Sequence, residues 1–158
     1  MRYADITKSS FVNGEGCRAV LWLSGCTHHC PGCQNPELQD PDYGQEMTTG
    51  TLFELIKLLR KPHIDGLTLS GGDPMYPEHR KELELILQFL KKEVPDKTIW
   101  MYTGYSFEDI KDEPLLQYLD VIIDGKYMQD REPALYRGSD NQRIWRKNGG
   151  TWKADAEN

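Results

Sequence analysis

The chain lacks any apolar stretch long enough to cross a bilayer: runs such as Val20–Leu23 fall far short of the roughly 20 residues a membrane helix needs, and no membrane span is expected. It also lacks the apolar core of a secretory signal, since it starts Met1-Arg2-Tyr3-Ala4-Asp5. A cytoplasmic location follows as an expectation, with cysteines as thiols or metal ligands and not as a disulfide framework. Positive charge is in short supply, with 19 Lys and Arg against 25 Asp and Glu, a formal charge of −6 and a pI near 5.2. Net charge therefore argues against a nucleic-acid partner. Internal repeats, low-complexity tracts and linker-like composition are missing too. At 158 residues and 38% hydrophobic, residues 1–158 are expected to form one domain able to bury its own core.

The charge that is present is unevenly placed. Residues 1–124 carry a net −8, whereas 125–153 carry seven basic side chains (Lys126, Arg131, Arg137, Arg143, Arg146, Lys147, Lys153) and only three acidic ones. This segment has weak periodicity and reads as an irregular basic tail at about 125–153, either simply solvated or serving as a docking or anion-binding surface.

Strand-like and helix-like segments alternate before it, the pattern of βα units around a parallel sheet. Strands are expected at Arg18–Ser24, Ile64–Ser70, Lys97–Thr103 and Leu119–Asp124, with a further one at Arg2–Thr7. Helices are expected at Thr51–Arg60, where Thr51 and Glu54 suggest a capping box, at Pro77–Glu93, and from Ser106 to about Tyr118. The groups able to do chemistry fall just after strands: a cysteine cluster after the first, Gly71-Gly72-Asp73-Pro74 after the second, Thr103-Gly104-Tyr105 after the third and Asp124-Gly125 after the fourth. That carboxyl edge is where α/β sheets and barrels bind ligands. A full eight-stranded barrel takes about 250 residues, so the fold expected is α/β, a shortened partial (βα) barrel of parallel strands.

Cys26-Thr27-His28-His29-Cys30-Pro31-Gly32-Cys33 places three of the four cysteines in a C-x3-C-x2-C run. Such density signals a metal or redox site. Zinc would need a fourth ligand, from Cys17, His28 or His29, and no second ligand pair of the usual spacing exists. Three clustered thiolates suit an iron–sulfur cluster with one iron left open.

C-x3-C-x2-C after one strand and Gly-Gly-acidic-Pro after the next together resemble the radical S-adenosylmethionine (SAM) enzymes. Phe11-Val12-Asn13-Gly14-Glu15-Gly16, Cys30-Pro31-Gly32-Cys33, Leu69-Ser70-Gly71-Gly72-Asp73-Pro74, Trp100-Met101-Tyr102-Thr103-Gly104-Tyr105, Asp124-Gly125-Lys126-Tyr127 and Arg137-Gly138-Ser139-Asp140-Asn141-Gln142-Arg143 narrow the resemblance to the activating proteins of anaerobic (class III) ribonucleotide reductases. Gly32 before the last cysteine, where many radical SAM enzymes have an aromatic, and Asp73 in place of Glu both agree with that subfamily.

The resemblance implies a radical-SAM-type fold and one 4Fe-4S cluster held by Cys26, Cys30 and Cys33. It implies SAM bound near Gly32, Cys33, Gln34, Gly71, Gly72, Asp73, Thr103 and Gly104. The reaction implied is reductive cleavage of SAM and formation of a glycyl radical on the large reductase subunit, with an electron from a reduced flavodoxin-like donor. No catalytic residue beyond the cluster ligands is implied.

Several positions have a second reading from the residues themselves. Cys17 is expected to pack in the core; Asp73 is either a ligand neighbour or a helix cap; Thr103-Gly104 is either a ligand neighbour or a turn. Trp100 and Tyr102 read as sheet residues, His28 and His29 as exposed loop residues, and His63 and His79 as surface or helix-end residues. Asp124, Lys126, Arg137, Asn141 and Arg143 face either SAM or the partner. Two other functions stay open here: activation of a different glycyl-radical enzyme, such as a formate-lyase type, and a non-enzymatic zinc adaptor using Cys17, Cys26, Cys30 and Cys33.

Overall fold

The computed structural model describes residues 1–156; Glu157 and Asn158, the end of the expected domain, lie outside the described residues. Eight strands, β1 (Arg2–Ser10), β2 (Arg18–Leu23), β3 (Gln45–Glu46), β4 (Gly66–Gly71), β5 (Thr98–Tyr102), β6 (Val121–Asp124), β7 (Arg143–Asn148) and β8 (Thr151–Ala154), form one sheet in the order β3-β1-β2-β4-β5-β6-β7-β8. The central four run parallel, and the flanking pairs are antiparallel. The fold is thus α/β with a mixed sheet, not a set of parallel strands alone.

Side-chain alternation along each strand sends two sets of residues to opposite faces. Ala19, Leu21, Leu23, Leu67, Leu69, Ile99, Met101 and Ile122 join the main core with helices α1 (Thr49–Leu59) and α2 (Arg80–Glu93). From α2, Leu83, Ile86, Leu87 and Leu90 are buried, one apolar stripe at helical spacing. The other face carries a smaller cluster of Trp100, Val121, Ile123 and Ile144, joined by Tyr102 and Tyr136. Buried Arg18 and Thr68 lie on this second face.

Three local expectations are corrected. Helix α1 is capped by Thr48, whose hydroxyl accepts from the Thr51 N–H while Thr51 answers as the third residue of a capping box; Thr51 is not itself the cap. The helix expected from Ser106 to Tyr118 breaks into α3 (Phe107–Ile110) and a 3-10 turn at Pro114–Tyr118. Proline at 114 supplies no N–H and excludes helical backbone before it. The basic tail is irregular only up to about residue 142, after which β7 and β8 form a hairpin. Its turn, Gly149-Gly150, has positive φ at both residues, 57° and 91°, as a two-residue turn matched to strand twist requires.

Among the described residues no helix is long and apolar enough to cross a membrane.

Candidate functional site

Because β2, β4, β5 and β6 are parallel, the loops after them share one edge of the sheet. Above it opens a cleft of about 850 Å³ lined by Cys26, Cys30, Cys33, Gln34, Gly71, Gly72, Thr103 and Gly104, among others. Eight of the ten positions singled out for a cluster or SAM thus come together, although their sequence separation reaches nearly eighty residues. Gly32 and Asp73 are not in the cleft wall. Gly32 has φ +72°, and a Cβ there would lie 1.9 Å from Gln129 Oε1, so it packs against the loop after β6.

The cysteine loop is held by backbone bonds from Gly25 N–H to Leu38 O (2.8 Å) and Cys26 N–H to Gln39 O (3.2 Å). His29 turns the chain in the left-handed region at φ 49°, with Nδ1 2.7 Å from Gln39 Oε1. All three thiols are free and half-buried. Burial pushes the Cys26 and Cys30 thiols up, and the nearby Asp73 charge adds to the effect at Cys26. Any metal bound there would have to displace protons from them.

Cys17 stands apart. It is buried in the core among residues of the helix-covered face, and its N–H donates to Asp65 Oδ2 at 2.8 Å. The six residues of β2 separate it from the cysteine loop by about 20 Å at strand rise. A zinc site made of Cys17 with the other three is thereby excluded by geometry. Among the described residues no three His, Cys, Asp or Glu side chains are grouped to hold one metal ion. An iron–sulfur cluster fits the donor set better: each thiolate takes a separate iron, and the nearby histidines are already committed to Asp73 and Gln39. The iron without a cysteine would then be open to a ligand from the cleft.

The glycine loop after β4 is shaped by close backbone packing. A Cβ on Gly71, at φ +115°, would lie 2.3 Å from Leu23 O, and one on Gly72 2.4 Å from Leu38 O. Only glycine allows this approach of three chain segments at the cleft floor.

Asp73 is 1% exposed and its oxygens are occupied. Oδ2 accepts from Thr103 Oγ1 (3.1 Å) and Gly104 N–H (2.9 Å) and lies 2.6 Å from His28 Nε2; Oδ1 accepts from Met75 N–H at 2.9 Å. It does not cap α2, which starts at Arg80. The Thr103 hydroxyl also accepts from Tyr105 N–H, so the Thr103 hydroxyl and the Gly104 N–H are already engaged within the protein.

His28 is not the exposed loop residue expected. Its side chain is 7% exposed, with the ring edge-on to Tyr105 at 4.5 Å. The partner that buries it is 45 residues away in sequence, so local pattern could not reveal it. His79 is likewise buried, with Nε2 3.1 Å from Pro74 O, and burial pushes its pKa down. Arg143 pairs with Glu108 and Asp124 away from the cleft, Asn141 donates to Lys126 O, and Arg137 lines the cleft.

Sequence reasoning did not single out the cleft's apolar rim. Phe11, Val12 and Leu135 all line the opening and are 71%, 74% and 71% exposed. Large apolar side chains so exposed at a cleft mouth were signalled in sequence only by their lying in otherwise polar loops.

Residues 12–145 match the family described as a 4Fe-4S single cluster domain. The chain is 49% identical over 156 residues to the anaerobic ribonucleoside-triphosphate reductase-activating protein of Enterobacteria phage T4, covering 98% of this chain and all of that protein. It is 40% identical to the protein of the same name from Haemophilus influenzae, over 92% of this chain and 98% of the relative. Against that of Escherichia coli K12 it is 36% identical, over 90% and 96%. Near-complete coverage in both directions, with all three cysteines of the cleft inside the matched region, makes this chain a member of the 4Fe-4S anaerobic ribonucleoside-triphosphate reductase-activating protein family.

Proposed function

We propose that the protein is a radical SAM activating enzyme: it cleaves SAM reductively and places a glycyl radical on the large subunit of an anaerobic ribonucleoside-triphosphate reductase. The observation that carries this reading is one cleft that joins three free thiols to a glycine-built floor, with His28 of the same wall engaged by Asp73 instead of standing free as a fourth ligand. The four parallel strands are read as a shortened form of the (βα) barrel of radical SAM enzymes, left open for a protein substrate.

Cys26, Cys30 and Cys33 would hold one 4Fe-4S cluster, which supplies the electron that splits SAM into methionine and a 5′-deoxyadenosyl radical. The chain's own residues bind, orient and shield. Gly71 and Gly72 let SAM approach the backbone, and Gln34 with the backbone of Cys33 lines the opposite wall. Asp73 acts from beneath: a buried carboxylate favours a cationic sulfonium nearby while its hydrogen bonds keep it in place. Gly32 shapes the loop by packing against Gln129. Arg137 and the apolar rim of Phe11, Val12 and Leu135 face the incoming reductase segment. The low-potential electron is assigned to a reduced flavodoxin-like donor.

Anaerobic reconstitution tests the reading. A brown protein with about four irons per chain that converts SAM to 5′-deoxyadenosine under a strong reductant, and yields a glycyl-radical signal only when the large reductase subunit is added, is expected. A colourless protein that retains zinc and leaves SAM intact overturns it.

A further inference from the structure

SAM, on the reading above, must touch two loops at once: the cysteine loop through the open iron and the glycine loop through its backbone. These loops belong to different βα connections; β2 and β4 pair in register up to Leu23 and Gly71, and Gly72 N–H donates to Leu23 O at 2.8 Å, but the Cys26–Cys33 run lies beyond that pairing. A side-chain link ties that run to the glycine loop. His28 lies between two of the cysteines, and its Nε2 is 2.6 Å from Oδ2 of Asp73, the residue that follows Gly71-Gly72. The same oxygen accepts from Thr103 Oγ1 and Gly104 N–H of the loop after β5. Asp73 N–H returns to the base of the cysteine loop by donating to Gly25 O at 2.7 Å.

One buried carboxylate thus gathers three of the loops that wall the cleft. A carboxylate 1% exposed is costly unless its oxygens are paired, so these loops cannot separate without leaving it unsatisfied. The His28 ring is seated as closely as its nitrogen is bonded. A Cβ on Gly104 would lie 2.5 Å from the ring, and Tyr105 closes over it edge-on. Arg80 in turn lies 5.1 Å over the Tyr105 ring. The ring has one seat, and its position sets that of the Cys26–Cys30 turn.

We infer that His28 is a positioning residue that, through Asp73, sets the spacing between the cysteine loop and the glycine loop so that one SAM molecule engages both. This rests on the function proposed above, and it assigns His28 neither to the cluster nor to proton transfer.

The test uses the anaerobically reconstituted full chain carrying His28→Ala and His28→Gln, with the unaltered protein alongside. The glutamine amide can present a donor to Asp73 where alanine cannot. Three quantities are read: iron per chain, SAM affinity from the change SAM induces in the electron paramagnetic resonance spectrum of the reduced cluster, and KM for SAM apart from kcat. The expected result for His28→Ala is unchanged iron, SAM affinity weaker by about tenfold, as loss of one hydrogen bond to a charged group implies, and a matching rise in KM. His28→Gln is expected to recover most of that loss. Unaltered SAM affinity in His28→Ala, or iron lost in step with affinity, overturns the inference: the first leaves the link without effect, and the second makes it a support of the cysteine loop alone. If the unaltered protein loads iron but neither binds nor cleaves SAM, the proposed function itself fails, and the two failures are told apart by that control.

Discussion

The guanidinium of Arg18 lies 5.3 Å from the centre of the Trp100 ring, and both side chains are buried. Arg18 donates to Thr68 Oγ1, Thr98 Oγ1 and the carbonyls of Glu15, Leu67 and Thr98 at 2.8–3.1 Å, which ties β2, β4 and β5 together at the sheet edge away from the cleft. Burial lowers its pKa to about 10, opposed by the more distant charges of Asp120, Asp65 and Glu15, so it stays cationic at neutral pH. Gly14 makes room for the pair, since a Cβ there would lie 2.8 Å from Arg18 Cδ and 3.0 Å from the Trp100 ring.

Replacing Arg18 by Met keeps the apolar stem and removes every hydrogen bond. Stranded carbonyls at the strand starts should cost about 3 kcal/mol of stability. Urea unfolding at pH 7 measures this, and an unchanged midpoint would show that the bonds contribute nothing net.

The four cysteines should separate sharply. Alanine at Cys26, Cys30 or Cys33 is expected to abolish stable cluster loading, read as iron and sulfide per chain. Cys17→Ala should load fully and lose only about 1 kcal/mol from a small core void. Iron loss in Cys17→Ala would contradict its place in the core.

Partner activation and SAM cleavage should respond differently to the cleft rim. Asp in place of Phe11 or Leu135 puts a charge where an exposed apolar side chain faces the opening. The expected outcome is SAM cleavage close to that of the unaltered protein, with glycyl-radical yield on the reductase down about tenfold or more, the scale of losing one anchoring apolar contact. Equal loss of both activities would place these residues in the SAM site instead.

Much of the fold and of the site is legible in the sequence. The C-x3-C-x2-C run and Gly71-Gly72, which meet in one cleft, stand out by residue type and spacing, and β2, β4, β5 and β6 by short apolar runs with turn residues after them. What the sequence hides depends on distant pairs. The His28 side chain is covered because Asp73, Gly104 and Tyr105, all distant in sequence, surround it, and Thr48 outcompetes Thr51 as the α1 cap because Thr51 is more useful as its third-position partner. The β7–β8 hairpin is hidden by composition: Asn148-Gly149-Gly150-Thr151 is a turn signal, but the basic side chains around it also suit a solvated tail. Arg143 and Arg146 resolve that ambiguity by pairing with Glu108, Asp124, Glu15 and Asp155.

One of those pairs has a pH signature. Two hydrogen bonds from Arg143 to Glu108, at 2.9 and 2.7 Å, pull the Glu108 carboxyl from 4.5 down to about 2. Because the folded value lies below the unfolded one, the stabilisation is fully present above about pH 4.5 and is lost as pH falls towards 2. Glu108→Gln should therefore unfold at lower urea than the unaltered protein at pH 7, with the gap closing from pH 4.5 downward. A gap that persists undiminished at pH 3 would assign the effect to packing.

The sheet ends in β3 and β8, so unlike a sealed cylinder it carries two unpaired borders. On one side β3 adds only Gln45 and Glu46, both exposed, and pairs no further than Tyr3, so the border passes to β1, where Asp5, Lys8 and Ser9 are exposed; on the other side β8 adds four residues, with Lys153 among them. Borders that present charged and polar side chains, lysine among them, resist pairing with a second molecule. A sheet left unclosed is thus protected from accreting copies of itself strand by strand.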